Sequence, residues 1–316
     1  MIFQYYLFIW EDKLKQKLTC SPWNIEINFS PMPIERSLQE NLKPFLNCKD
    51  HTVSGELYKV MKNEEYDLLI THPFPDDLDN YYKSEKYISH TDAKKSIFDR
   101  VYQAVKGHSL KNKIRLINSF LPREKTLLDI GAGTGDFIQG CIKNGWSVSG
   151  LEPNIKARKI AQTKNILLQK DLSFFKDQQF DVITLWHVLE HIQDLDKYIK
   201  SLKKLLKKDG TLLIAVPNYK SFDANHYGKF WAAFDVPRHL WHFSQTSIKK
   251  IFSHVSISVV KTVPMKFDAY YVSLLSEKYK NGKMNIFKSI WIGFLSNLKA
   301  RTTLQYSSII YVLKND

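Results

Sequence analysis

The chain has 316 residues, 44% hydrophobic and 13% aromatic, which is enough to bury a sizeable core in one or two domains. A net charge of +14 favours anionic partners (nucleic acid, phosphorylated metabolites or an anionic membrane), although lysines scattered over solvated helix faces account for most of the excess. Three cysteines exclude a disulfide framework and predict a reducing, cytoplasmic setting.

Residues 1–95 predict an irregular N-terminal extension, which we expect to act as a cover for the domain that follows. This region contains six prolines, at positions 22, 31, 33, 44, 73 and 75, and no visible repeat. Its opening run, MIFQYYLFIW, is apolar but too short to span a bilayer, and Glu11 and Asp12 follow it. We therefore expect a packed strand or helix there.

The segment that begins FLNCKDHTVSG, at Phe45, resembles a degenerate zinc ribbon, a module that carries paired C-x-x-C knuckles. Here only Cys48 and, distantly, Cys20 remain, and KNEEYD stands where a second knuckle belongs. Because a tetrahedral zinc needs four ligands, we expect no structural zinc.

The stretch LLDIGAGTGDF, Leu127 to Phe137, predicts a buried strand, a glycine turn and the start of a helix. Glycines at alternate positions over 131–135 permit positive φ and close approach of a ligand to the backbone. The dinucleotide fingerprint G-x-G-x-x-G needs a third glycine where Asp136 stands, and this acid would repel a pyrophosphate. Together with Asp129, it favours a ligand that carries positive charge.

This stretch resembles motif I of the class I S-adenosylmethionine-dependent methyltransferases, and the likeness extends over roughly residues 110–260. The resemblance implies S-adenosyl-L-methionine as cofactor and S-adenosyl-L-homocysteine as product. It also implies a set of cofactor contacts near the ends of the first four strands: Asp129, Gly131, Ala132, Gly133, Thr134, Gly135, Phe137, Glu152, Pro153, Asp171, Leu172, Trp186 and His187.

Strands and helices alternate after residue 126, which predicts a doubly wound, mostly parallel α/β sheet of seven strands. The predicted strands are 126–130, 146–152, 165–171, 180–186, 211–217, 256–263 and 306–314. We expect a methyltransferase domain over 96–316, with a helical insertion at about 265–300, and ligands at the carboxyl ends of the strands.

Acidic residues end the second and third predicted strands. Glu152 could accept hydrogen bonds from both hydroxyls of a ribose, and Asp171 could accept from an adenine amino group. By resemblance to the methyltransferases, Glu152 is the ribose-binding acid and Asp171 is the acid nearest the adenine.

The fourth strand ends in LWHVLEHIQD, which places Trp186 and His187 beside the transferring methyl group. The LEH within it is similar to a subgroup that includes ubiquinone-type O-methyltransferases. A histidine with a pKa of about 6.5 can take a hydroxyl proton at neutral pH, which makes His187 a catalytic candidate. The alternative is that His187 shapes the pocket, and a structural role is favoured for His191.

The segment after the fifth strand, SFDANHYGKFWAAFDVPRHLWHFS, is rich in aromatic residues and predicts a substrate wall. Its PRHL-x-HF portion is similar to a methyltransferase subgroup. Its substrate-binding candidates are Trp231, Arg238, His239 and His242, with His239 also a catalytic candidate. Arg238 suits either a substrate anion or a structural ion pair. No carboxylate stands at a fitting spacing from these histidines, so no metal is expected.

The stretch MNIFKSIWIGFLSNLKAR, residues 284–301, places its large apolar side chains on one helical face, with basic residues at its flanks. We expect this helix to pack into the core. The alternative is peripheral contact with a membrane or a hydrophobic substrate.

The sequence thus predicts a methyltransferase that acts on a small-molecule acceptor, anionic or aromatic, by O-methylation. One alternative is an RNA methyltransferase, which the net charge favours. The fourth strand, however, lacks the Asn/Asp-Pro-Pro-aromatic motif of base amino methylation, and no cysteine follows it. The other alternative is a non-catalytic cofactor-binding protein of the same fold. The pattern does not define an oligomeric state.

Overall fold

The computed structural model describes residues 34–75, 77–82, 97–120, 122 and 124–316. The opening apolar run, Cys20 and the predicted domain boundary near residue 95 lie outside the described residues. The residues from Ile34 to Asp316 form one compact unit.

Ten strands are present in the described part of the chain: β1 (Lys43–Lys49), β2 (Leu57–Asn63), β3 (Leu68–His72), β4 (Thr126–Ile130), β5 (Ser147–Leu151), β6 (Phe180–Trp186), β7 (Leu206–Pro217), β8 (Trp241–His242), β9 (Ile257–Pro264) and β10 (Ser308–Asn315). The helices described with them are α1 (Ile34–Gln39), α2 (Ile97–Asn118), α3 (Asp136–Lys143), α4 (Ile155–Gln162), α5 (Leu195–Leu205), α6 (Phe222–Tyr227), α7 (Gln245–Ser253), α8 (Asp268–Asn281) and α9 (Ile286–Thr303).

The larger sheet has the strand order β5-β4-β6-β7-β10-β9. Strands β5, β4, β6 and β7 are parallel, and β10 runs antiparallel between β7 and β9. Strands β4 and β6 and the second half of β7 are mainly apolar and buried because helices cover both faces of the sheet. The mostly parallel α/β prediction is therefore confirmed.

The described sheet has six strands, and the predicted strand 165–171, the third in chain order, is not one of them. Of the segment 165–171, only Gln169 forms a bridge, parallel to Leu151 at the sheet edge. The prediction of a full strand was wrong because the apolar residues Ile166 and Leu168 pack beside α3 and α4 without extending the ladder.

The N-terminal extension is regular where the structure describes it, contrary to the predicted irregular pattern. Strands β1, β2 and β3 form an antiparallel meander, and β8 joins it to give the order β1-β2-β3-β8. The pairs Leu69 with His242 and Ile70 with Trp241 connect the meander to the segment that follows β7. Prolines did not interrupt the strands because Pro44 lies on the edge strand β1 and Pro73 and Pro75 follow β3.

Helices α8 and α9 lie in sequence between β9 and β10 and pack against each other. Helix α9 buries a face of mainly small residues, Ser289, Ile292, Gly293, Ser296 and Ala300. Its large apolar side chains point outward, with Phe287 at 89% and Trp291 at 58% exposure. The expectation that this face packs into the core was therefore wrong, because Tyr270 of α8 lies so close to Gly293 that only a small side chain fits there.

Candidate active site

The glycine turn follows β4 at the carboxyl end of the parallel strands. Gly131, Gly133 and Gly135 all have positive φ, at +73°, +55° and +80°. A Cβ at Gly131 would lie 2.4 Å from the Val188 side chain, and one at Gly135 would lie 2.9 Å from Ile166. A Cβ at Gly133 would meet nothing within 4 Å, so this glycine borders open space. The turn is thus packed on two sides and open on one, as a backbone cradle for a ligand requires.

Asp129 lies near the end of β4 and is buried. The hydroxyl of Thr184 donates a hydrogen bond to it, at 2.6 Å. Burial raises the pKa of Asp129 to about 7, although Thr184 and the ammonium group of Lys113 work in the opposite direction. Asp129 therefore sits at the turn as a carboxyl group that a cationic ligand would ionise.

Lys113 of α2 is a site residue that the sequence pattern did not identify. Its Nζ lies 4.3 Å from the centroid of the Trp186 ring. Burial lowers the pKa of Lys113, while the carboxylates of Asp129 and Asp268 oppose this shift. A lysine on a helix of this composition is ordinarily a solvated residue, so no spacing signal distinguished it.

Glu152 directly follows β5 and contacts the glycine turn, and its role as the ribose-binding acid stays a prediction. Its Oε2 accepts a hydrogen bond from the backbone N–H of Gly133, at 2.9 Å, and its Oε1 accepts one from that of Asn154, at 2.8 Å. The carboxyl ends of β4 and β5 therefore place the open side of the turn next to a carboxylate that can accept two hydrogen bonds from one ligand.

Two other acids have local partners. Asp136 forms an ion pair with Lys164 at 2.5 Å, so its negative charge at the start of α3 is compensated. Asp171 is exposed and accepts a hydrogen bond from the backbone N–H of Ser173, at 3.0 Å, which caps the short helical turn at Leu172. Asp129, and not Asp136, is therefore the carboxyl group at the turn that could attract a cationic ligand.

The other predicted cofactor contacts surround the turn. Ala132 and Phe137 are buried, and the Phe137 ring meets the Trp186 ring edge to face at 5.5 Å. The carbonyl of Thr134 accepts a hydrogen bond from Lys164, at 2.9 Å. Pro153 is exposed beside Glu152. These positions are consistent with one pocket around the turn, and their cofactor roles stay predictions.

His187 begins the loop after β6 in a left-handed backbone conformation, with φ +57°. Its Nε2 lies 3.2 Å from Asp268 and its Nδ1 lies 3.4 Å from Glu190. Burial disfavours the charged ring, but the two carboxylates outweigh it and raise the pKa of His187 to about 9. In this arrangement His187 is protonated at neutral pH, which weakens the prediction that it accepts a hydroxyl proton.

Glu190, His191 and His239 form a compact group next to His187. One ligand-type atom from each lies within 4.8 Å of the others. Burial, followed by the neighbouring His239, lowers the pKa of His191 to about 4. Burial disfavours ionised Glu190, but the adjacent histidines outweigh it and hold the pKa of Glu190 below its usual value. The largest of these favourable contributions comes from His187. Glu190 was not predicted as part of this group because it lies far from His239 in the sequence, and only the fold brings the two side chains together.

The rest of the predicted substrate wall packs under the meander. Trp231 is buried, and its indole N–H donates to Asp223 at 2.8 Å. His242 is buried and lies 3.0 Å from the hydroxyl of Thr71 in β3. These contacts favour a structural role for Trp231 and His242 over the predicted role in binding substrate.

Arg238 is also buried, at 2% exposure. Its guanidinium bonds to Asp235 and Thr52 and lies 3.6 Å from Asp50. Of the two roles predicted for Arg238, this geometry favours the structural ion pair.

Cys48, the cysteine of the zinc-ribbon-like segment that the structure describes, is buried in the interface between β1 and the loop after α6. Its thiol lies 3.6 Å from the carbonyl of Lys229. Within the described ranges it belongs to no group of metal-ligand side chains.

A family model described as "Methyltransferase domain" matches residues 104–261. A ubiquinone biosynthesis O-methyltransferase of Pelagibacter ubique is 37% identical over 123 residues, covering 36% of this chain and 51% of the relative. A protein of the same name from Actinobacillus pleuropneumoniae serotype 7 is 33% identical over 108 residues, covering 30% of this chain and 46% of the relative. The chain thus spans about half the length of these curated relatives.

Among solved structures, a magnesium protoporphyrin IX methyltransferase of Synechocystis PCC 6803 with bound SAH has a TM-score of 0.51 at 15% identity. The match covers 75% of this chain and 97% of that chain. At this identity the likeness shows a shared fold.

Proposed function

This chain belongs to the methyltransferase-domain family, and on that premise we propose that it transfers a methyl group from S-adenosyl-L-methionine to a small-molecule acceptor. The observation that supports this most strongly is the glycine turn, open at Gly133, with Glu152 hydrogen-bonded to it and buried Asp129 below it. A hydroxyl is the proposed acceptor group, in keeping with the names of the two O-methyltransferase relatives.

The residues at the turn suit the parts of this cofactor. Glu152 would accept hydrogen bonds from both ribose hydroxyls, and ionised Asp129 would pair with the amino group of the methionine portion. Lys113, within electrostatic reach of Asp129, would hold the carboxylate of the same portion. Bound there, the cofactor supplies a methyl group on a positively charged sulfur. Phe137 and Trp186 provide an apolar surface at the carboxyl end of β6.

The chain's main contribution to catalysis would be to hold the acceptor in line with that methyl group while excluding water. Proton removal would be a smaller contribution. His187 lies at the end of β6, where the acceptor would approach, and its protonated ring, held between Asp268 and Glu190, would place a positive charge near an acceptor oxygen or an anionic group. His239 stays a candidate for a direct role because it alone of the predicted wall residues lies in the group with Glu190 and His191.

We also propose that the outward face of α9 contacts an anionic membrane, which would suit an apolar acceptor. The face carries Phe287 and Trp291 and is flanked by the exposed residues Lys283 and Arg301. Apolar side chains beside basic ones fit an interface that combines lipid tails with anionic headgroups. Among the described helices, none combines the length and the hydropathy that a membrane span needs. A cytoplasmic location stays a prediction from the cysteine content.

Calorimetry with S-adenosylmethionine, S-adenosylhomocysteine and NAD tests the cofactor. We expect binding of the first two and none of NAD. Glu152→Ala should weaken binding by about 1.5–3 kcal/mol, the range for hydrogen bonds to a charged group. Asp171→Ala, which removes an exposed capping acid, tests the adenine role separately. Binding of NAD without either adenosyl compound would refute the proposal.

Transfer of a labelled methyl group to hydroxylated metabolites, sugars and RNA tests the acceptor class. Labelling of RNA alone would support the nucleic-acid alternative, which the net charge of +14 favours. Tight cofactor binding without transfer to any acceptor would support a non-catalytic protein.

A further inference from the structure

The group formed by Glu190, His191 and His239 lies beside the proposed methyl-transfer site and has no assigned role. Glu190 and His191 come from the short turn after β6, and His239 comes from the segment before β8. Their nearest ligand-type atoms lie within 4.8 Å of one another, and Glu190 and His239 are buried. Ligand atoms that each lie about 2.0–2.2 Å from one divalent ion are at most about 4.4 Å apart, so only a small adjustment of these three side chains is needed to bind one.

Both imidazole rings are oriented as metal ligands are. The Nδ1 of His239 lies 2.8 Å from the carbonyl oxygen of Ala233. The Nδ1 of His191 lies 3.0 Å from the carbonyl oxygen of Arg238 and 2.8 Å from the hydroxyl of Tyr82. A carbonyl only accepts, so each ring donates its Nδ1–H and leaves the Nε2 lone pair free. Histidines that bind metals are normally fixed in this way by a second hydrogen bond.

Glu190 provides an independent observation. Both of its carboxylate oxygens are buried without a hydrogen bond to any described residue. The His187 ring faces this carboxylate, with its Nδ1 3.4 Å from Oε1, which is an ion-pair contact. A buried carboxylate that lacks hydrogen bonds is costly, and a bound cation would satisfy it.

We propose that Glu190, His191 and His239 bind a divalent transition-metal ion. Two imidazoles and a carboxylate suit Mn²⁺, Fe²⁺, Co²⁺ or Zn²⁺ better than Mg²⁺ or Ca²⁺, which prefer oxygen ligands. Three protein ligands leave coordination positions open. If the proposed function holds, an acceptor hydroxyl would take one of them, because His187 contacts Glu190 and lies at the end of β6. This proposal replaces the sequence-based expectation of no metal.

Metal titration of the full chain, stripped with a chelator and kept free of cofactor and acceptor, tests the site. Calorimetry with Zn²⁺ and visible absorption with Co²⁺ should show one equivalent bound. Glu190→Gln and His191→Gln should each weaken binding at least about tenfold, and metal should raise the melting temperature of the wild-type protein but not of these two variants. His226→Gln, which removes an exposed histidine elsewhere, should bind as the wild type does.

Absence of a stoichiometric equivalent in the wild-type protein would overturn the proposal, as would unchanged affinity in Glu190→Gln. An intense thiolate-to-cobalt absorption band would overturn it too, because it would place the ion on a cysteine. Since no cofactor is present, failure of metal binding leaves the methyltransferase proposal intact, and failure of cofactor binding leaves the metal site intact.

Discussion

Gly133 and Gly145 share a backbone conformation and differ in setting. Both have positive φ, and a Cβ at either would meet nothing within 4 Å. Valine at either position should cost roughly 1–2 kcal/mol of stability, from the left-handed backbone alone. Gly133→Val should in addition abolish cofactor binding, because its branched side chain would fill the open side of the turn. Calorimetry and thermal melting of both variants separate the two effects, and equal loss of affinity in Gly145→Val would contradict this account.

Asp129 predicts a pH-dependent affinity. Its pKa of about 7 is raised above the ordinary value of 3.8 by burial, so below pH 7 it is increasingly neutral. A ligand that requires the ionised carboxylate should therefore bind about tenfold more weakly for each pH unit below 7, and with constant affinity above it. Calorimetry of S-adenosylhomocysteine across pH 5–8 measures this dependence. Asp129→Asn should bind weakly and without the pH dependence, and a flat wild-type profile would exclude the pairing.

The residues of the site differ in how far the sequence predicted them. Glu152 was predictable because the carboxyl ends of neighbouring parallel strands meet at one edge of the sheet. Lys113 was not, because nothing in the spacing of α2 fixes which lysine turns inward. The proximity of Glu190 to His239 was not predictable for a different reason. It depends on the path of the chain after α6, and no local sequence pattern determines that path.

At the scale of elements, Arg238 joins the loop before β8 to the turn between β1 and β2. Arg238→Met should destabilise the fold by about 3–5 kcal/mol, because Asp235 and Asp50 would lose a buried partner. Lys43→Met, which removes an exposed ion pair with Glu64, is the control and should change the melting temperature little. A normal melting temperature with loss of methyl transfer in Arg238→Met would restore the substrate-wall interpretation.

Helix α9 predicts association with lipid. Phe287→Asp should reduce co-sedimentation with vesicles that contain phosphatidylglycerol, because it places a charge on the most exposed apolar side chain of the helix. Leu167→Asp, an equivalent change at an exposed leucine outside α9, is the matched control. If both variants sediment as the wild type does, or if the wild type binds vesicles of phosphatidylcholine equally well, the anionic-membrane proposal fails.

The strands and helices differ in how well their bounds and buried faces could be predicted from the sequence. Strands β4 and β6 begin and end where their apolar runs predicted, since buried parallel strands are bounded sharply by polar turns. The two-residue strand β8 gives no signal of its own because its partners belong to β3. The face that α9 buries was misassigned because hydrophobic periodicity locates an apolar face without showing whether another element covers it.

For the whole molecule, the meander and the large sheet should unfold together. Leu68 and Ile70 of β3 belong to the same core as residues of β6 and β7. Hydrogen exchange in increasing denaturant should therefore show backbone amides of β3 and β7 losing protection at one common denaturant concentration. Loss of protection in β2 and β3 at a clearly lower concentration would show that the meander is an independent unit.

The pairing of β3 with β8 also bears on synthesis of the chain. About 170 residues separate His72, where β3 ends, from His242, where its partner strand β8 ends. At roughly 5–20 residues per second, a ribosome needs on the order of 10–30 s to make that stretch. For this interval the hydrogen-bonding edge of β3 has no partner from β8, which makes it a template for pairing with other nascent chains. Chaperone binding during translation is therefore expected to concentrate on residues 57–72 and to end once β8 emerges.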